Sequence, residues 1–183
     1  PGFRVLTQDN GFQELILTMS RIIKNSELQK NEKFYPVHIT AGALGLGLPK
    51  RDLIVSRQHR MAVKSNIVKR MFTSETALVA AIRLTELPGV YIDETVDHVE
   101  YFHLVFKQHE VIFAEGAPTE SFLASTEAKN ILGSTQWEEF STLFPNAHEA
   151  GFYENPSHVI PSRLDQKELI RRHVKNDKYL LSL

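Results

Sequence analysis

The sequence predicts a mainly β fold with a helical extension at its C-terminus, and three observations support this prediction. The chain opens with Asn10-Gly11 between two β-prone runs, which is a strong local signal for a β-hairpin. Its middle consists of short apolar runs separated by Gly and Pro, too closely spaced for the crossover helices of a parallel α/β fold. Beyond Pro118 the apolar residues recur at helical spacing. We therefore expect a compact β domain over residues 1–122 and a helical extension over residues 123–183 that packs on it.

The predicted β-strands are short and separated by turn-forming residues. Residues 99–106 form the clearest strand, and the apolar run 109–114 is expected to be its hairpin partner. The stretch 20–33 is polar and charged, which favours a solvated excursion between strands. A short helix is expected at 81–86, ahead of Pro88-Gly89. In chain order, the predicted strands cover residues 3–8, 12–18, 37–40, 53–56, 61–63, 99–106 and 109–114.

Helical signals follow in the last third of the chain. Ser125 is placed to cap a short helix that ends at Gly133, and Thr135 with Glu138 matches a capping box. A longer helix is expected over residues 162–175, where apolar residues recur about once a turn. The apolar residues of this longer helix are Leu164, Leu169, Ile170 and Val174.

Charge and composition argue against several classes of function. Lys and Arg number 21 against 22 Asp and Glu, so the formal net charge of −1 creates no field that attracts nucleic acid or an anionic membrane. The absence of cysteine excludes disulfides, thiolate metal sites and thiol catalysis within these residues. The glycines at 42, 45 and 47 lack the Lys-Ser/Thr of a phosphate-binding loop, so no cofactor is expected. Because the chain starts at Pro1 instead of Met, we expect a piece of a longer protein.

Two segments hold the residues best suited to chemistry. The first, residues 39–60, joins a glycine-rich turn to a strand that ends in a Ser-x-x-His motif formed by Ser56 and His59. The second, residues 101–122, has a histidine on each of two apolar runs and ends in Glu-Gly-Ala-Pro-Thr-Glu-Ser-Phe. Taken alone, His59 is most simply a polar residue at a strand end that hydrogen-bonds a turn. The two segments therefore have to be interpreted together.

Together these segments resemble the bacterial branch of the Hint (hedgehog/intein) domains. Ser-x-x-His is similar to the Thr-x-x-His motif of this family, and residues 103–116 are similar to its penultimate strand pair, which ends in an Ala-x-Gly turn. The stretches Ala-Gly-Ala-Leu-Gly and Glu-Gly-Ala-Pro-Thr-Glu-Ser-Phe resemble the bacterial subgroup. The resemblance covers residues 2–122. It implies a Hint-like compact β fold that serves as an autoprocessing module of a larger protein.

The resemblance also implies a reaction and a set of residues for it. In the family, an N-terminal Cys or Ser attacks the carbonyl of the preceding residue and converts the amide into a (thio)ester. By position, His59 is the acid that protonates the leaving nitrogen, which is a contribution of roughly 10²–10⁴ in rate for a well-placed general acid. Ser56 is the hydroxyl that orients the peptide. His103 is the base for the incoming nucleophile, and His109 takes this role if the alignment shifts.

The chain departs from the family pattern in three places. The first strand, with its nucleophile, is expected before residues 2–7 and is not in this sequence. Phe3 replaces the usual Asp, and no terminal His-Asn pair follows Gly116. We therefore expect the chain alone to be inactive and its intact parent to cleave itself, so that the partner is the upstream segment of the same polypeptide. A missing strand also exposes a sheet edge, which predicts a homodimer.

Other interpretations remain open at this point. The module could be a non-catalytic Hint-like scaffold for structure or interaction. His98, His103 and His109 suggest a metal-dependent hydrolase, but His98 and His103 are an odd number of positions apart and should lie on opposite faces of a strand. The family context implies a secreted or cell-surface bacterial protein, and a cytoplasmic location is the alternative.

Overall fold

The computed structural model describes residues 2–123, 137–138, 141–142 and 155–182. Within these residues the strands form antiparallel sheets of six, three and two strands, and the mainly β fold is confirmed. The strands are β1 (Arg4–Thr7), β2 (Gly11–Glu14), β3 (Leu17–Lys24), β4 (Val37–Ile39), β5 (Leu53–Val55), β6 (Arg60–Lys64), β7 (Thr76–Ala80), β8 (Val90–Ile92), β9 (His98–Val105), β10 (Val111–Ala114) and β11 (Ala117–Glu120). The helices are α1 (Asn25–Lys30), α2 (Asn66–Phe72) and α3 (Arg163–Lys175), with 3-10 turns at Glu32–Phe34 and Ala81–Glu86.

The six-stranded sheet, in the order β2-β1-β10-β11-β6-β7, separates two sides of the molecule. Successive residues of a strand point to opposite faces. Met61 and Val63 of β6 therefore enter the main core, on what we call the core face. Ala62 points the other way and packs with Leu78, and Ile160 covers this outer face. The remaining sheets have the orders β5-β4-β8 and β3-β9.

The expectation of a solvated excursion at residues 20–33 is wrong. Most of the stretch belongs to β3 and α1. In β3, Met19 and Ile23 are buried on one face with the half-buried Arg21 between them, while Ile22 on the opposite face is exposed, so two buried apolar residues are sufficient for a half-buried strand. Helix α1 begins directly after it, where the Glu27 carboxylate accepts the backbone N–H of Lys24 at 3.2 Å.

The predicted hairpin between residues 99–106 and 109–114 is also wrong. Strand β9 pairs with β3 over eight residue pairs, from Leu17 opposite Val105 to Lys24 opposite His98. Strand β10 instead lies between β1 and β11 in the six-stranded sheet. The short connection after β9 therefore leads from one sheet to another. A strand as long as β9 forms a full ladder only with a partner of equal length, and β3 is such a partner.

Two local predictions are confirmed. Strands β1 and β2 form the expected hairpin, in which Gly11 has a φ of +63° and the Thr7 hydroxyl donates to the Gly11 carbonyl at 2.9 Å. A left-handed residue at this turn favours glycine because it has no Cβ. The short helix expected at 81–86 is the 3-10 turn Ala81–Glu86.

The predicted C-terminal helix is present as α3, and the Ser162 side chain caps its first turn. Leu169 and Ile170 are fully buried in the main core. Leu164 and Val174 were expected on the same face, but they are 80% and 47% exposed. The apolar spacing therefore predicts the helix correctly and two of its four core residues incorrectly.

Two polar residues take the inner positions of α3 instead. The Gln166 side chain accepts the backbone N–H of Ala80 at 3.1 Å and donates to the Pro161 carbonyl at 2.8 Å. The fully buried His173 hydrogen-bonds the Ser65 hydroxyl at 2.9 Å through Nε2. Buried polar groups are tolerated when every donor and acceptor is paired, as these are. The helix is thereby joined to both β7 and the start of α2.

The C-terminal residues pack on the glycine-rich turn that precedes β5. The Leu181 N–H donates to the Leu44 carbonyl at 3.0 Å, and Leu180 and Leu181 belong to the main core. Gly45 has a φ of +100°, and a Cβ at this position would collide with the side chain of Tyr179. The turn thus needs glycine both for its backbone conformation and for the close approach of the C-terminus.

Several predictions concern residues outside the described part of the chain or properties that the fold does not test. The helices expected from Ser125 to Gly133 and from Thr135 onward begin outside the described residues. The domain boundary after Phe122 stays a prediction. In the described part of the chain, β2 is an edge strand of its sheet, and the homodimer also stays a prediction. None of the helices that the structure describes has the length and apolar character to span a membrane.

Candidate functional site

His59 lies in a tight turn between β5 and β6 that backbone hydrogen bonds hold on two sides. Its N–H donates to the Ser56 carbonyl at 3.1 Å, which closes the turn. The following 3-10 turn supports it, because Ala81 N–H donates to the His59 carbonyl at 2.8 Å and Ile82 N–H to the Arg57 carbonyl at 3.0 Å. The Ser-x-x-His motif therefore fixes the position of the imidazole through main-chain bonds.

The imidazole of His59 forms a hydrogen bond through Nε2 with the hydroxyl of Thr119 on β11. The single proton of that hydroxyl is placed to donate to the Arg60 carbonyl, at 3.1 Å. Thr119 must then accept from the ring, which assigns the proton of the neutral imidazole to Nε2. Nδ1 is consequently the nitrogen that gains and loses a proton when the ring titrates.

The surroundings of His59 favour its neutral form. Burial lowers the pKa of His59 below its usual value, and this is the largest effect. The carboxylate of Glu120 raises the pKa in opposition, while the charges of Arg60 and His109 lower it further. The net direction is downward, so the ring is unprotonated at neutral pH and can accept a proton before it donates one.

Glu120 is the charged centre of the site. Its side chain is 8% exposed, and it accepts the Arg60 N–H at 2.8 Å and the Arg60 Nη1 at 2.9 Å. Burial alone would raise the pKa of Glu120, but His109, His59 and Arg60 together lower it, and the lowering prevails. Glu120 is therefore a buried carboxylate that stays ionised because hydrogen bonds and nearby cationic groups stabilise its charge.

His103 lies on β9, opposite Met19 of β3, with its ring edge against Phe122 at 5.5 Å between centroids. The pKa of His103 is lowered from its usual 6.5 to about 4, mainly by burial and secondarily by repulsion from His59, with Glu120 partly opposing both. Glu120 raises the pKa of both imidazoles, so it links His59 and His103 electrostatically.

We expect His103 to make the protein less stable as the pH falls from 6.5 to about 4. The unfolded chain binds this proton near 6.5 and the folded chain only near 4, so stability is unaffected above this window and is lost within it. At about 1.4 kcal/mol per pH unit, the loss reaches up to about 3 kcal/mol. His103→Asn should give a flatter dependence of the urea-unfolding free energy on pH.

A matched control for this experiment is His98→Asn. His98 begins the same strand, and its side chain is 71% exposed. This variant should keep the pH dependence of the wild-type protein. Equal slopes for wild type and His103→Asn would show that the imidazole at 103 is not protected from protonation by the fold.

The other two predicted site residues have different surroundings. The Ser56 carbonyl closes the turn, and within the described residues its hydroxyl makes no hydrogen bond, while the hydroxyl on the His59 ring belongs to Thr119. His109 precedes β10 with a completely buried side chain. Its Nδ1 lies 3.0 Å from the hydroxyl of Ser157, in the segment before α3. His109 therefore contacts the C-terminal part of the chain.

The histidines of the metal hypothesis do not form a cluster. His98 is exposed and hydrogen-bonds its neighbour Asp97 at 3.0 Å, whereas His103 and His109 are at least partly buried elsewhere. Among the residues that the structure describes, no three His, Asp or Glu side chains are arranged to hold a metal ion.

Sequence reasoning missed Thr119, Glu120 and Arg60. All three lie directly beside residues that it did select, or within the motif Ala-Pro-Thr-Glu-Ser. The structure shows what the sequence does not: the turn at Gly116 starts a strand whose four residues are all buried, yet it contains a glutamate. A carboxylate in a fully buried strand requires a cation or donor nearby, and Arg60 follows His59 directly.

Comparison with known proteins identifies a family for this chain. A model of the Hint domain family matches residues 1–126, which is more than half of the chain. No match was found among curated proteins, nor among solved structures. The matched region contains His59, His103, Thr119 and Glu120, together with the eleven strands of the described structure. From this match and its mainly β fold, the chain belongs to the Hint domain family.

Proposed function

We propose that this Hint domain is the autoprocessing module of a longer polypeptide. In that polypeptide, a Cys or Ser before Pro1 attacks the carbonyl of the residue that precedes it. The hydrogen bond that directs His59 Nε2 to Thr119, and so leaves Nδ1 as the titrating nitrogen, is the observation that supports the proposal most directly. Since these 183 residues contain no cysteine to serve as a thiol nucleophile, we propose that the chain alone does not cleave itself.

In the proposed reaction, His59 accepts one proton and later donates it. The bond from sulfur or oxygen to the carbonyl carbon forms as the nucleophile loses its proton to Nδ1. The carbon–nitrogen bond then breaks, and the same proton passes from Nδ1 to the leaving nitrogen, which gives a (thio)ester and a free amine. A ring that is neutral at rest suits both halves of this step, because it must accept before it donates.

The neighbouring residues have supporting roles in this proposal. Thr119 fixes the ring orientation, and Glu120 stabilises the imidazolium that forms transiently, since its carboxylate favours the protonated ring. His103, which is neutral at pH 7, is the base that activates the nucleophile resolving the ester. Ser56 is the hydroxyl proposed to orient the scissile peptide, for which its place in the turn beside His59 is suitable.

The test is to express the domain with the segment that precedes it in the complete polypeptide. Release of an N-terminal fragment, accelerated by thiol or hydroxylamine, is the expected result, measured by intact mass. His59→Ala should slow release by about 100-fold or more. Thr119→Val, which removes the hydroxyl but keeps the shape, should slow it by a smaller factor.

The exposed His98 provides the control, since His98→Ala should release the fragment at the wild-type rate. Release that continues unchanged in His59→Ala would contradict the proposed role of this imidazole. No release from the wild-type polypeptide, in the presence or absence of thiol, would contradict autoprocessing as a whole.

The alternative is a Hint domain with a structural or interaction role. One observation favours it: His109, among the four residues predicted for chemistry, is completely buried and joins β10 to the C-terminal segment. The same expression experiment separates the two functions. We further propose that the parent is a secreted or cell-surface bacterial protein whose upstream segment is the substrate, and a signal peptide in the complete polypeptide would support this over a cytoplasmic location.

A further inference from the structure

A second group of chemically active side chains lies on the outer face of the six-stranded sheet. His109 Nδ1 is 3.0 Å from the Ser157 hydroxyl, and His109 Nε2 is 3.6 Å from the Glu120 carboxylate. The three residues therefore form a serine–imidazole–carboxylate series. Nucleophilic serines in acyl-transfer sites depend on this order of groups, recognised by geometry and not by sequence position.

The hydrogen bonds also determine which nitrogen of His109 is the base. The backbone N–H of Ser157 donates to Nδ1 at 3.0 Å, so Nδ1 must hold a lone pair. The proton of the neutral ring is then on Nε2, which points to Glu120. The backbone N–H and the hydroxyl of Ser157 share this one lone pair, so the hydroxyl proton can move to Nδ1 without a change of tautomer when the N–H bond is released.

His109 Nε2 is otherwise unexplained. Among the described residues it is a buried nitrogen without a hydrogen-bond partner, because 3.6 Å to Glu120 is longer than a hydrogen bond. Buried unpaired groups are rare in native proteins, and functional sites are one place where they occur. Glu120 is held in its ionised state by its surroundings, so it can stabilise a positive charge on this ring.

Ser157 faces a cleft and not the protein interior. A cleft of about 610 Å³ is lined by Ser157 and His109, together with Asn155 and Lys107. This volume is in the range of about 300–1,000 Å³ that small-molecule sites occupy. Asn155 and Lys107 carry N–H donors that suit the negative oxygen of an acyl-transfer intermediate. His158 Nδ1 also lies 3.2 Å from the Ser157 hydroxyl and fixes its direction.

We propose that Ser157 is an acyl-accepting nucleophile, with His109 as its base and Glu120 as the carboxylate behind it, acting on esters small enough to enter this cleft. Ser157 Oγ forms a bond to the ester carbonyl carbon while its proton moves to His109 Nδ1. The carbon–oxygen bond to the alcohol then breaks, and His109 returns the proton to the departing alkoxide. Water hydrolyses the acyl-serine by the same route and releases the carboxylic acid.

The nucleophile and base of this site are distinct from His59, although both sites use Glu120. Thr119 and Glu120 are successive residues of β11, so their side chains point to opposite faces of the sheet. Thr119 contacts His59 and Glu120 contacts Arg60 and His109. Replacement of Ser157 should therefore affect esterase activity and not self-cleavage, whereas Glu120 acts in both.

The test uses the full 183-residue chain with an alkyl fluorophosphonate probe and p-nitrophenyl acetate. We expect stoichiometric labelling of Ser157, located by peptide mass spectrometry, and ester hydrolysis that falls by about 100-fold or more in Ser157→Ala and in His109→Gln. The exposed serine of α1 gives a matched control, since Ser26→Ala should keep both activities. Far-UV circular dichroism checks that each variant is folded.

The location of the label on the wild-type protein decides the question even if the His109 variant fails to fold. Labelling at another serine, or no labelling at all, would overturn the proposal. Hydrolysis that survives in Ser157→Ala would also overturn it. Loss of activity in Ser157→Ala with full activity in a folded His109→Gln would overturn the assignment of His109 as the base. None of these outcomes bears on fragment release from the longer polypeptide.

Discussion

Replacing Leu169 with alanine is expected to lower the free energy of unfolding by about 3 kcal/mol, within the range of roughly 2–5 kcal/mol for a buried leucine. Leu169 is fully buried in the main core, where α3 packs against α2 and the 3-10 turn Ala81–Glu86. Truncation removes apolar contacts from both sides of this junction and leaves a cavity. Urea denaturation followed by circular dichroism measures the change.

The same helix offers a matched control in Leu164, which is 80% exposed. Leu164→Ala makes the same chemical change and should alter stability by less than about 0.5 kcal/mol, as surface substitutions generally do. Equal effects for the two leucines would mean that α3 does not pack on the β domain in solution. A large effect of Leu169→Ala alone would show that the C-terminal helix is part of the cooperative folding unit.

Replacing Arg60 with alanine is expected to lower stability by about 3–5 kcal/mol at neutral pH, as removal of one partner from a buried ion pair does. Arg60 Nη1 lies 2.9 Å from Glu120, whose side chain is 8% exposed. Without the guanidinium, the buried carboxylate keeps its backbone donor but loses its closest cation. Guanidinium chloride would screen charges, so urea is the suitable denaturant.

The pH dependence gives this prediction a second readout. Loss of Arg60 raises the pKa of Glu120 in the folded state, because the cation that stabilised the carboxylate is gone. The destabilisation is therefore full above that raised pKa and decreases as the pH falls and Glu120 becomes protonated. Arg60→Ala combined with Glu120→Gln should recover part of the loss at neutral pH, since no buried charge then remains.

Arg51 provides the control for the ion pair. Its guanidinium lies 2.7 Å from Glu115, but its side chain is 81% exposed. Exposed pairs are screened by solvent, so Arg51→Ala should cause little measurable change. A loss as large as that of Arg60→Ala would contradict burial as the cause of the difference.

Local structure was largely predictable from the sequence. The hairpin at Asn10-Gly11 and the 3-10 turn at 81–86 depend on residues close together in the chain, so turn chemistry and short-range spacing suffice. Helix α3 was found for the same reason. The sequence predicts these elements correctly because the residues that indicate each element also form its hydrogen bonds.

Long-range pairing was not predictable in the same way. Strand β10 directly follows β9 in the sequence, yet β9 pairs with β3, which lies about 80 residues earlier in the chain. In this ladder Leu17 of β3 is opposite Val105 of β9. Likewise, the polar Gln166 is buried because its side chain bonds Ala80 and Pro161. A polar residue becomes a core residue only when distant partners are placed beside it, and spacing contains no such information.

The candidate site shows the same division. His59 and His103 were selected from motifs, and Glu120 links them electrostatically. Thr119 and Glu120 were not selected, since each acts through a partner that only the sheet places beside it. Ser157 was outside the predicted site altogether, in the segment that leads to α3. The sequence motifs identified the two imidazoles and did not identify the hydroxyl and the carboxylate that act on them.

The close approach of Tyr179 to Gly45 has a consequence for how this domain can be handled. The family match ends at residue 126, but Leu180 and Leu181 fill the main core and Leu181 bonds the glycine-rich turn. A protein cut to the matched region would leave that turn and the inner side of β6 open to water. An affinity tag is therefore better joined beyond Leu183 through a flexible spacer than used to replace the last residues. The limit of recognisable family sequence is thus not the limit of the stable unit.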